Sequence, residues 1–240
     1  MPTSSDIPVR GLFVVGTDTD VGKTAVAVQI LRDLAATGRR VAAYKPAASG
    51  IGSVDEPGGD PRRLWEASGR VGSPAEVCPQ VFPAPLAPPR AARLAGHAVD
   101  EPLLRSGLAA WRGQEIVVVE GAGGLFSPLA DATLGADLAG EFGYPLVIVD
   151  SARLGAIGRT LATARAARAA GLTVAACVLS LVAPPRGDRD DPLGDEAIAH
   201  ANLADLTRLL PGTPLTLLAH VADSFAPRLD WWSLAGSGTA

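Results

Sequence analysis

The chain has 240 residues, of which 48% are hydrophobic and 19% are charged, so it carries enough apolar material for a packed core and is not a disordered chain. Its formal net charge of −4 argues against a broad basic surface for nucleic acid. The longest apolar run is far shorter than the ~20 residues that cross a bilayer. The two cysteines, Cys78 and Cys177, lie in no CxxC or Cys/His cluster, which argues against structural zinc and a disulfide framework.

Apolar runs and helical spacings predict strands that alternate with helices along the chain. In chain order the predicted elements are a strand at 11–15, a helix at 24–36, a strand at 41–44, helices at 61–68 and 101–111, a strand at 116–119, a helix at 131–142, a strand at 145–150, a helix at 157–170, a strand at 174–181, a helix at 195–210 and a strand at 214–220. Residues 46–61 are expected to form a loop and residues 71–90 to be irregular. Residues 1–10 and the tail from about 222 are expected to be flexible or peripheral.

Most of the predicted strands are continuous apolar runs, which is typical of a parallel sheet covered on both faces. We therefore predict an α/β protein with a P-loop NTPase-like fold, in which a mostly parallel sheet has helices on both faces. No repeat and no long linker divides the chain, so residues 1–240 are expected to form a single domain. The N-terminus has no charged-then-apolar leader, which predicts a cytoplasmic protein. Sheets of this kind bind ligands at the carboxyl ends of their strands.

The segment Gly16–Thr24, GTDTDVGKT, follows the first strand and opens the first helix, as a phosphate loop does. In such a loop the backbone N–H groups hold an anion, Lys23 neutralises the outer phosphates, and the Thr24 hydroxyl can ligate Mg²⁺. The spacing departs from the usual pattern, because five residues instead of four separate Gly16 from Gly22.

Three more residues are candidates for the same edge of the sheet. Lys45 follows the second strand and is one of only two lysines in a chain with 19 arginines, which favours a role that a planar guanidinium cannot fill. Glu120 ends a buried strand and precedes Gly121-Ala122-Gly123-Gly124, so it can hold Mg²⁺ while a ligand approaches the glycine backbone. Asp60 either caps the following helix or belongs to the metal site.

Together these motifs resemble the dethiobiotin synthetase family. The resemblance lies in GTDTDVGKT, KPAASG, the Asp60 segment, VVVEGAGGLFSPL and LGAIG, which occur in the family's order and spacing from Gly11 to about Val182. The extra residue of the phosphate loop is itself a feature of this family.

The resemblance implies an ATP-dependent ligase that carboxylates 7,8-diaminopelargonic acid and closes the ureido ring of dethiobiotin, with Mg²⁺ as cofactor. It implies catalytic roles for Lys23 and Lys45 and a metal site of Thr24, Asp60 and Glu120. The implied nucleotide-binding residues are Thr19, Asp20, Val21, Gly22, Lys23, Thr24, Ala25, Glu120, Gly121, Gly123 and Ser180. The implied substrate-binding residues are Thr19, Lys45, Ser49, Gly155, Ala156 and Gly158.

Two positions depart from the family pattern. Ser180 stands where the family commonly has an Asn that reads adenine, so the base selectivity is expected to be loose and to admit CTP or GTP. Gly158 stands where the family often has an Asn near the substrate tail. The tail carboxylate would then depend on backbone N–H groups of the helix that begins near Gly155. In the family this helix comes from a second subunit, so the resemblance implies a homodimer.

The sequence bears on three alternatives to this interpretation. A cobyrinate-type amidotransferase would need a glutaminase domain, for which 240 residues leave no room. A partitioning-type P-loop ATPase that binds DNA or membrane would begin its loop with Lys-Gly-Gly, and that lysine is absent. A ligase with the same fold but altered substrate or nucleotide specificity is compatible with Ser180 and Gly158.

Overall fold

A mostly parallel sheet forms the centre of the chain, which the computed structural model describes over residues 10–186 and 193–237. From one edge to the other, its parallel strands are β2 (Val41–Tyr44), β5 (Ile116–Gly124), β1 (Arg10–Gly16), β6 (Leu146–Ser151), β7 (Val174–Ser180) and β8 (Leu215–Leu218). The antiparallel strands β9 (Phe225–Ala226) and β10 (Gly236–Ser237) pair with β8 and β1. A separate small sheet pairs β3 (Ala48–Ser49) with β4 (Val81–Phe82).

Helices cover both faces of the sheet, as the sequence predicts. Every residue of β6 is buried, and since successive side chains of a strand point to opposite faces, neither face of β6 is open to solvent. The helices are α1 (Lys23–Ala36), α2 (Asp60–Ala67), α3 (Pro74–Val77), α4 (Pro88–Leu94), α5 (Glu101–Ser106), α6 (Gly135–Phe142), α7 (Ala156–Ala169), α8 (Asp195–Leu209) and α9 (Trp231–Leu234), with a 3₁₀ turn at Gly107–Trp111. None of the helices in the described ranges is both long and apolar enough to cross a membrane. That residues 1–240 form one domain stays a prediction.

The prediction of one continuous helix at 101–111 is wrong in one respect. The helix ends at Ser106, and the chain continues as the 3₁₀ turn. The Tyr44 hydroxyl donates to the Leu104 carbonyl at 2.9 Å, so that carbonyl has a side-chain partner at the break. A Cβ atom on Gly107 would lie 2.5 Å from the same hydroxyl oxygen. The contact with β2 therefore sets the end of α5, and local helical spacing does not reveal it.

The predicted helix at 131–142 begins later, at Gly135. Asp137 accepts a hydrogen bond from the backbone N–H of Leu134 at 2.8 Å and thereby caps the helix at that residue. The preceding residues form a turn in which the N–H of Leu129 donates to the Thr133 carbonyl at 2.8 Å.

Two segments expected to be a loop and irregular contain short ordered elements. The loop at 46–61 includes β3, and the stretch 71–90 includes α3, β4 and the start of α4. Pro74 and Pro88 stand at the first positions of α3 and α4, where proline costs no helical hydrogen bond. The prolines that predict irregular structure therefore mark helix starts.

The tail, which the sequence predicts to be flexible or peripheral, has two buried aromatic side chains in the part that the structure describes. Phe225 and Trp231 are 3% and 2% exposed, and their rings meet edge to face with centroids 5.0 Å apart. The Trp232 ring lies under the guanidinium groups of Arg39, 3.8 Å away, and Arg10, 4.8 Å away. The tail therefore packs on the body of the protein. Residues 1–9 lie outside the described residues.

We predict that Trp231→Ala lowers the free energy of unfolding by about 3–5 kcal/mol, because it removes a fully buried indole. The matched variant Trp232→Ala removes a half-buried indole with two cation–π contacts and is expected to cost about 1–2 kcal/mol. Urea denaturation followed by circular dichroism measures both. Equal, small losses in the two variants would show that the tail lies outside the cooperatively folded unit.

Candidate active site

A cleft of about 630 Å³ opens at the carboxyl edge of the parallel sheet. Residues that follow β1 and β2 and residues near the ends of β5, β7 and β8 line it, in agreement with the edge expected from the sequence. The loop after β6 does not reach this cleft.

The phosphate loop ends at the first residue of α1. Gly22 precedes this helix in the left-handed conformation, with φ 95°, and no side chain caps the helix. A Cβ atom on Gly22 would lie 2.5 Å from the Ser180 side-chain oxygen, so both backbone conformation and packing require glycine there. The N–H groups of the first turn are thus left for an anion, which the helix dipole also favours.

Lys23 turns back over the loop that carries it. Its ammonium donates to the Asp18 carbonyl at 3.0 Å, and the side chain is buried. Burial lowers the pKa of Lys23, although the charge of Glu120 opposes this shift. A poorly hydrated cation beside open N–H groups is suited to bind the outer phosphates of a nucleotide.

A cluster around the buried Lys45 and Glu120 brings together residues predicted from four separate motifs. The Lys45 ammonium donates to Oε1 of Glu120 at 2.5 Å and lies 3.0 Å from Oδ2 of Asp60. The Thr24 hydroxyl donates to the same Glu120 oxygen at 2.8 Å. Burial alone would lower the pKa of Lys45, but the two carboxylates outweigh it and raise the pKa above its ordinary value. Lys45 therefore holds a fixed positive charge.

The same cluster fits a magnesium ion. The second carboxylate oxygen of Glu120, Oε2, is buried and has no hydrogen-bond partner in the described part of the chain. Burial raises the pKa of Asp60, but Lys45 outweighs it and keeps the pKa below its usual range, so this group is a carboxylate. Residues 10–186 and 193–237 contain no group of three His, Cys, Asp or Glu that could hold a metal. Mg²⁺ suits such a site, since it binds through one or two carboxylates together with phosphates and water.

The helix-cap alternative for Asp60 is wrong. Gly59 occupies the cap position, and Asp60 is the first residue of α2, with its carboxylate on Lys45.

Most of the residues predicted for the nucleotide, the substrate and the metal line this cleft: Thr19, Asp20, Gly22, Lys23, Thr24, Ala25, Lys45, Ser49, Asp60, Glu120, Gly123 and Ser180. Val21 and Gly121 do not. The Val21 side chain is buried in the core, and Gly121 packs so tightly that a Cβ atom would lie 3.1 Å from the Phe13 ring. Only the backbone of these two residues is left to contact a ligand.

The predicted substrate-tail residues lie away from the cleft at the start of α7. Gly155 and Gly158 are exposed and Ala156 is fully buried. Behind them, Arg159 donates to both carboxylate oxygens of the buried Asp150, at 3.1 and 3.2 Å, and so fixes the loop before the helix. Within one chain the structure does not bring these three residues to the other site residues.

Several lining residues carry no signal in the sequence analysis. On α1 they are Val28, Gln29 and Arg32; on α2 it is Arg63; and at the far end they are Leu181, Val182 and the stretch 218–222. Arg63 stands three residues after Asp60, and this spacing on one helix face is the signal that could have found it.

The far end of the cleft is mostly apolar. Ser180, the last residue of β7, is 2% exposed and packs against Gly22 of the phosphate loop. Leu181, Val182 and Val221 offer no side-chain hydrogen bond there, and His220 supplies an imidazole. The two ends of the cleft thus differ, with charged groups at the phosphate loop and apolar groups beyond Ser180.

Comparison with known proteins gives the same assignment as the motifs. A family model described as an AAA domain matches residues 10–223. An ATP-dependent dethiobiotin synthetase from Anaeromyxobacter dehalogenans is 42% identical over 211 residues, which cover 88% of this chain and 90% of that protein. One from Rhodopirellula baltica is 39% identical and covers 82% of this chain and 78% of that protein.

Among solved structures, chloroplast FtsY from Physcomitrella patens matches 97% of this chain and 67% of its own, at 16% identity and a TM-score of 0.48. The identity to the curated relatives, which extends over 88% of this chain in the first case, shows the family. The chain therefore belongs to the ATP-dependent dethiobiotin synthetase family.

Proposed function

We propose that this chain is an ATP-dependent cyclo-ligase that joins CO₂ to 7,8-diaminopelargonic acid and gives dethiobiotin, ADP and phosphate. The observation that carries the proposal is that the buried Lys45 ammonium contacts Glu120 and Asp60 in the cleft that the phosphate loop also lines. A fixed cation at this place can attract a carbamate and the γ-phosphate to one point.

The reaction has three steps. One substrate amine adds to CO₂ and loses a proton, which gives a carbamate. A carbamate oxygen then attacks the γ-phosphorus of ATP, and the bond to the bridging oxygen breaks with its electron pair leaving on ADP. The second amine attacks the carbon of this carbamic–phosphoric anhydride, loses a proton and expels phosphate as the ring closes.

Different residues of the cleft bind the phosphates, the carbamate and the diamine. Lys23 and the N–H groups at the start of α1 hold the β- and γ-phosphates. Lys45 places its charge between the carbamate and the phosphoryl group that moves to it. Thr19 and Ser49, which line the cleft beside Lys45, contact the diamine end of the substrate.

Mg²⁺ is the metal that this donor set supports, with Thr24, Asp60 and Glu120 as its protein ligands. The ion supplies positive charge that neutralises phosphate oxygens. The unpartnered Oε2 of Glu120 and the carboxylate of Asp60 are the oxygens available to hold it.

We further propose a homodimer, in which the start of α7 of one subunit completes the substrate site of the other. The exposed Gly155 and Gly158, both away from the cleft of their own chain, support this arrangement. Backbone N–H groups there would hold the tail carboxylate of the substrate. The cytoplasmic location, and the absence of nucleic-acid and membrane partners, stay predictions from the sequence.

One assay tests the proposed activity. Diaminopelargonate, bicarbonate, Mg²⁺ and ATP are incubated with the protein, and dethiobiotin, ADP and phosphate are quantified. We expect the three products in equal amounts. Phosphate release without dethiobiotin would favour an ATPase or a ligase for another substrate.

We predict that Lys45→Arg lowers kcat by about 100-fold or more, the loss typical when a charge-stabilising donor is displaced. The guanidinium keeps the charge but is larger and planar, so it cannot sit as a point charge between carbamate and phosphate. Nucleotide binding should survive, because Lys23 and the loop are unchanged. Steady-state kinetics and ADP titration measure the two effects, and wild-type turnover would remove Lys45 from the mechanism.

Glu120→Gln should raise the Mg²⁺ concentration needed for half-maximal activity by about tenfold or more. The isosteric amide keeps the packing but lacks the negative charge of the carboxylate that would face the metal. Glu115→Gln is the matched control, because Glu115 pairs with Arg39 and Arg40 away from the cleft. Magnesium titration of turnover compares the two variants. An unchanged requirement in Glu120→Gln, or a protein that no longer folds, would make Glu120 a structural residue.

The base of the nucleotide is expected to matter little. Ser180 offers one rotatable hydroxyl where an Asn would offer a donor and an acceptor side by side, and Leu181 offers none. We therefore predict that kcat/KM for CTP or GTP lies within about tenfold of that for ATP, a window of roughly 1.4 kcal/mol. Comparing the four triphosphates measures this, and an ATP preference of a hundredfold would mean that His220 or the backbone of 219–222 reads adenine.

A further inference from the structure

Arg63 is a half-buried cation in the cleft that no structural interaction explains. It lies on α2, three residues after Asp60, so both side chains share the helix face that borders the cleft. Within the described residues its guanidinium has no hydrogen bond and no carboxylate within 4 Å. Burial raises the pKa of Asp60, the charge of Lys45 lowers it, and the charge of Arg63 adds a smaller lowering.

The other arginines near α2 have structural partners. Arg62 donates to Glu66 at 2.8 Å and lies over the Trp65 ring at 5.3 Å. Arg70 lies over the same ring at 5.7 Å. Arg63 differs from both, because the surface it faces is the cleft.

The charges that are already present leave a place for this cation. The Lys45 ammonium is shared between Glu120 and Asp60, and Lys23 approaches from the phosphate loop. Phosphoryl transfer spreads negative charge over three equatorial oxygens. The two ammonium groups of Lys45 and Lys23 leave part of this charge without a cation beside it. A guanidinium can donate to two of these oxygens at once.

We propose that Arg63 contacts the transferring phosphoryl group and stabilises the charge that develops on it. This inference rests on the proposed function. In the step concerned, a bond forms between a carbamate oxygen and the γ-phosphorus, and the bond from that phosphorus to the bridging oxygen breaks, with the electron pair leaving on ADP. Arg63 donates hydrogen bonds to the equatorial oxygens during this exchange and takes no part in covalent bonding.

The test compares Arg63→Gln with Arg62→Gln in the full-length protein. We expect Arg63→Gln to lower kcat by about 30-fold or more while the KM for ATP changes by less than about threefold, since the contact is made chiefly in the transition state. Arg62→Gln should keep kcat within about twofold, because Arg62 faces Glu66 at the surface. Arg63→Lys, which keeps the charge without the fork, should fall between Arg63→Gln and the wild type.

A second measurement separates this role from a structural one. ADP with aluminium fluoride mimics the transferring phosphoryl group, whereas ADP alone does not. In Arg63→Gln we expect ADP to bind as in the wild type, and the additional affinity that aluminium fluoride confers to be lost. Arg63→Lys carries the same comparison if the Gln variant does not fold.

The outcomes are distinct. A rise in the KM for ATP at unchanged kcat, full activity in Arg63→Gln, or an equal loss in Arg62→Gln would each overturn the assignment of Arg63. Failure of the wild-type protein to form dethiobiotin would instead overturn the proposed function, while the aluminium fluoride comparison, which needs no turnover, would still test Arg63.

Discussion

The buried contact between Lys45 and Glu120 is the interaction on which the site depends. Glu120 is fully buried in β5, which lies between β1 and β2, so the sheet itself fixes its position. Its Oε1 accepts hydrogen bonds from Lys45 and Thr24, which join β2 and α1 to the centre of the sheet. Removing a charge pair from water is costly, and such a pair is weak support for stability. We therefore interpret it as a functional arrangement that the surrounding core supports.

The two ends of the cleft differ in the charge of the groups that line them. Around Lys45 and Lys23 the groups are ionic and buried, which suits a chemistry of positioning and charge stabilisation. Beyond Ser180 the walls are apolar, and Gly22 allows Ser180 to pack directly against the phosphate loop. This arrangement predicts that a nucleotide is held mainly through its triphosphate.

Much of the fold could be predicted because the signals are local. The apolar run Ile116–Val119 predicts a buried strand without any knowledge of its neighbours. Lys45 and Glu120 are predictable as site residues because each directly follows such an apolar run. The misses depend on contacts between distant residues. Nothing near Ser106 indicates that the Tyr44 hydroxyl ends α5, and nothing in the tail indicates that Phe225 meets Trp231. Arg63 is hard to predict for another reason. In a chain with 19 arginines, one arginine gives no indication of function, whereas a lysine that is one of only two does.

In the proposed reaction, the cleft holds a carbamate oxygen against the γ-phosphate of the nucleotide. The fate of that oxygen tests it most directly. When a single turnover starts with ¹⁸O-labelled CO₂ and is stopped before the label exchanges with water, we expect one labelled oxygen in the phosphate released with each dethiobiotin. Dethiobiotin formed together with unlabelled phosphate would contradict it.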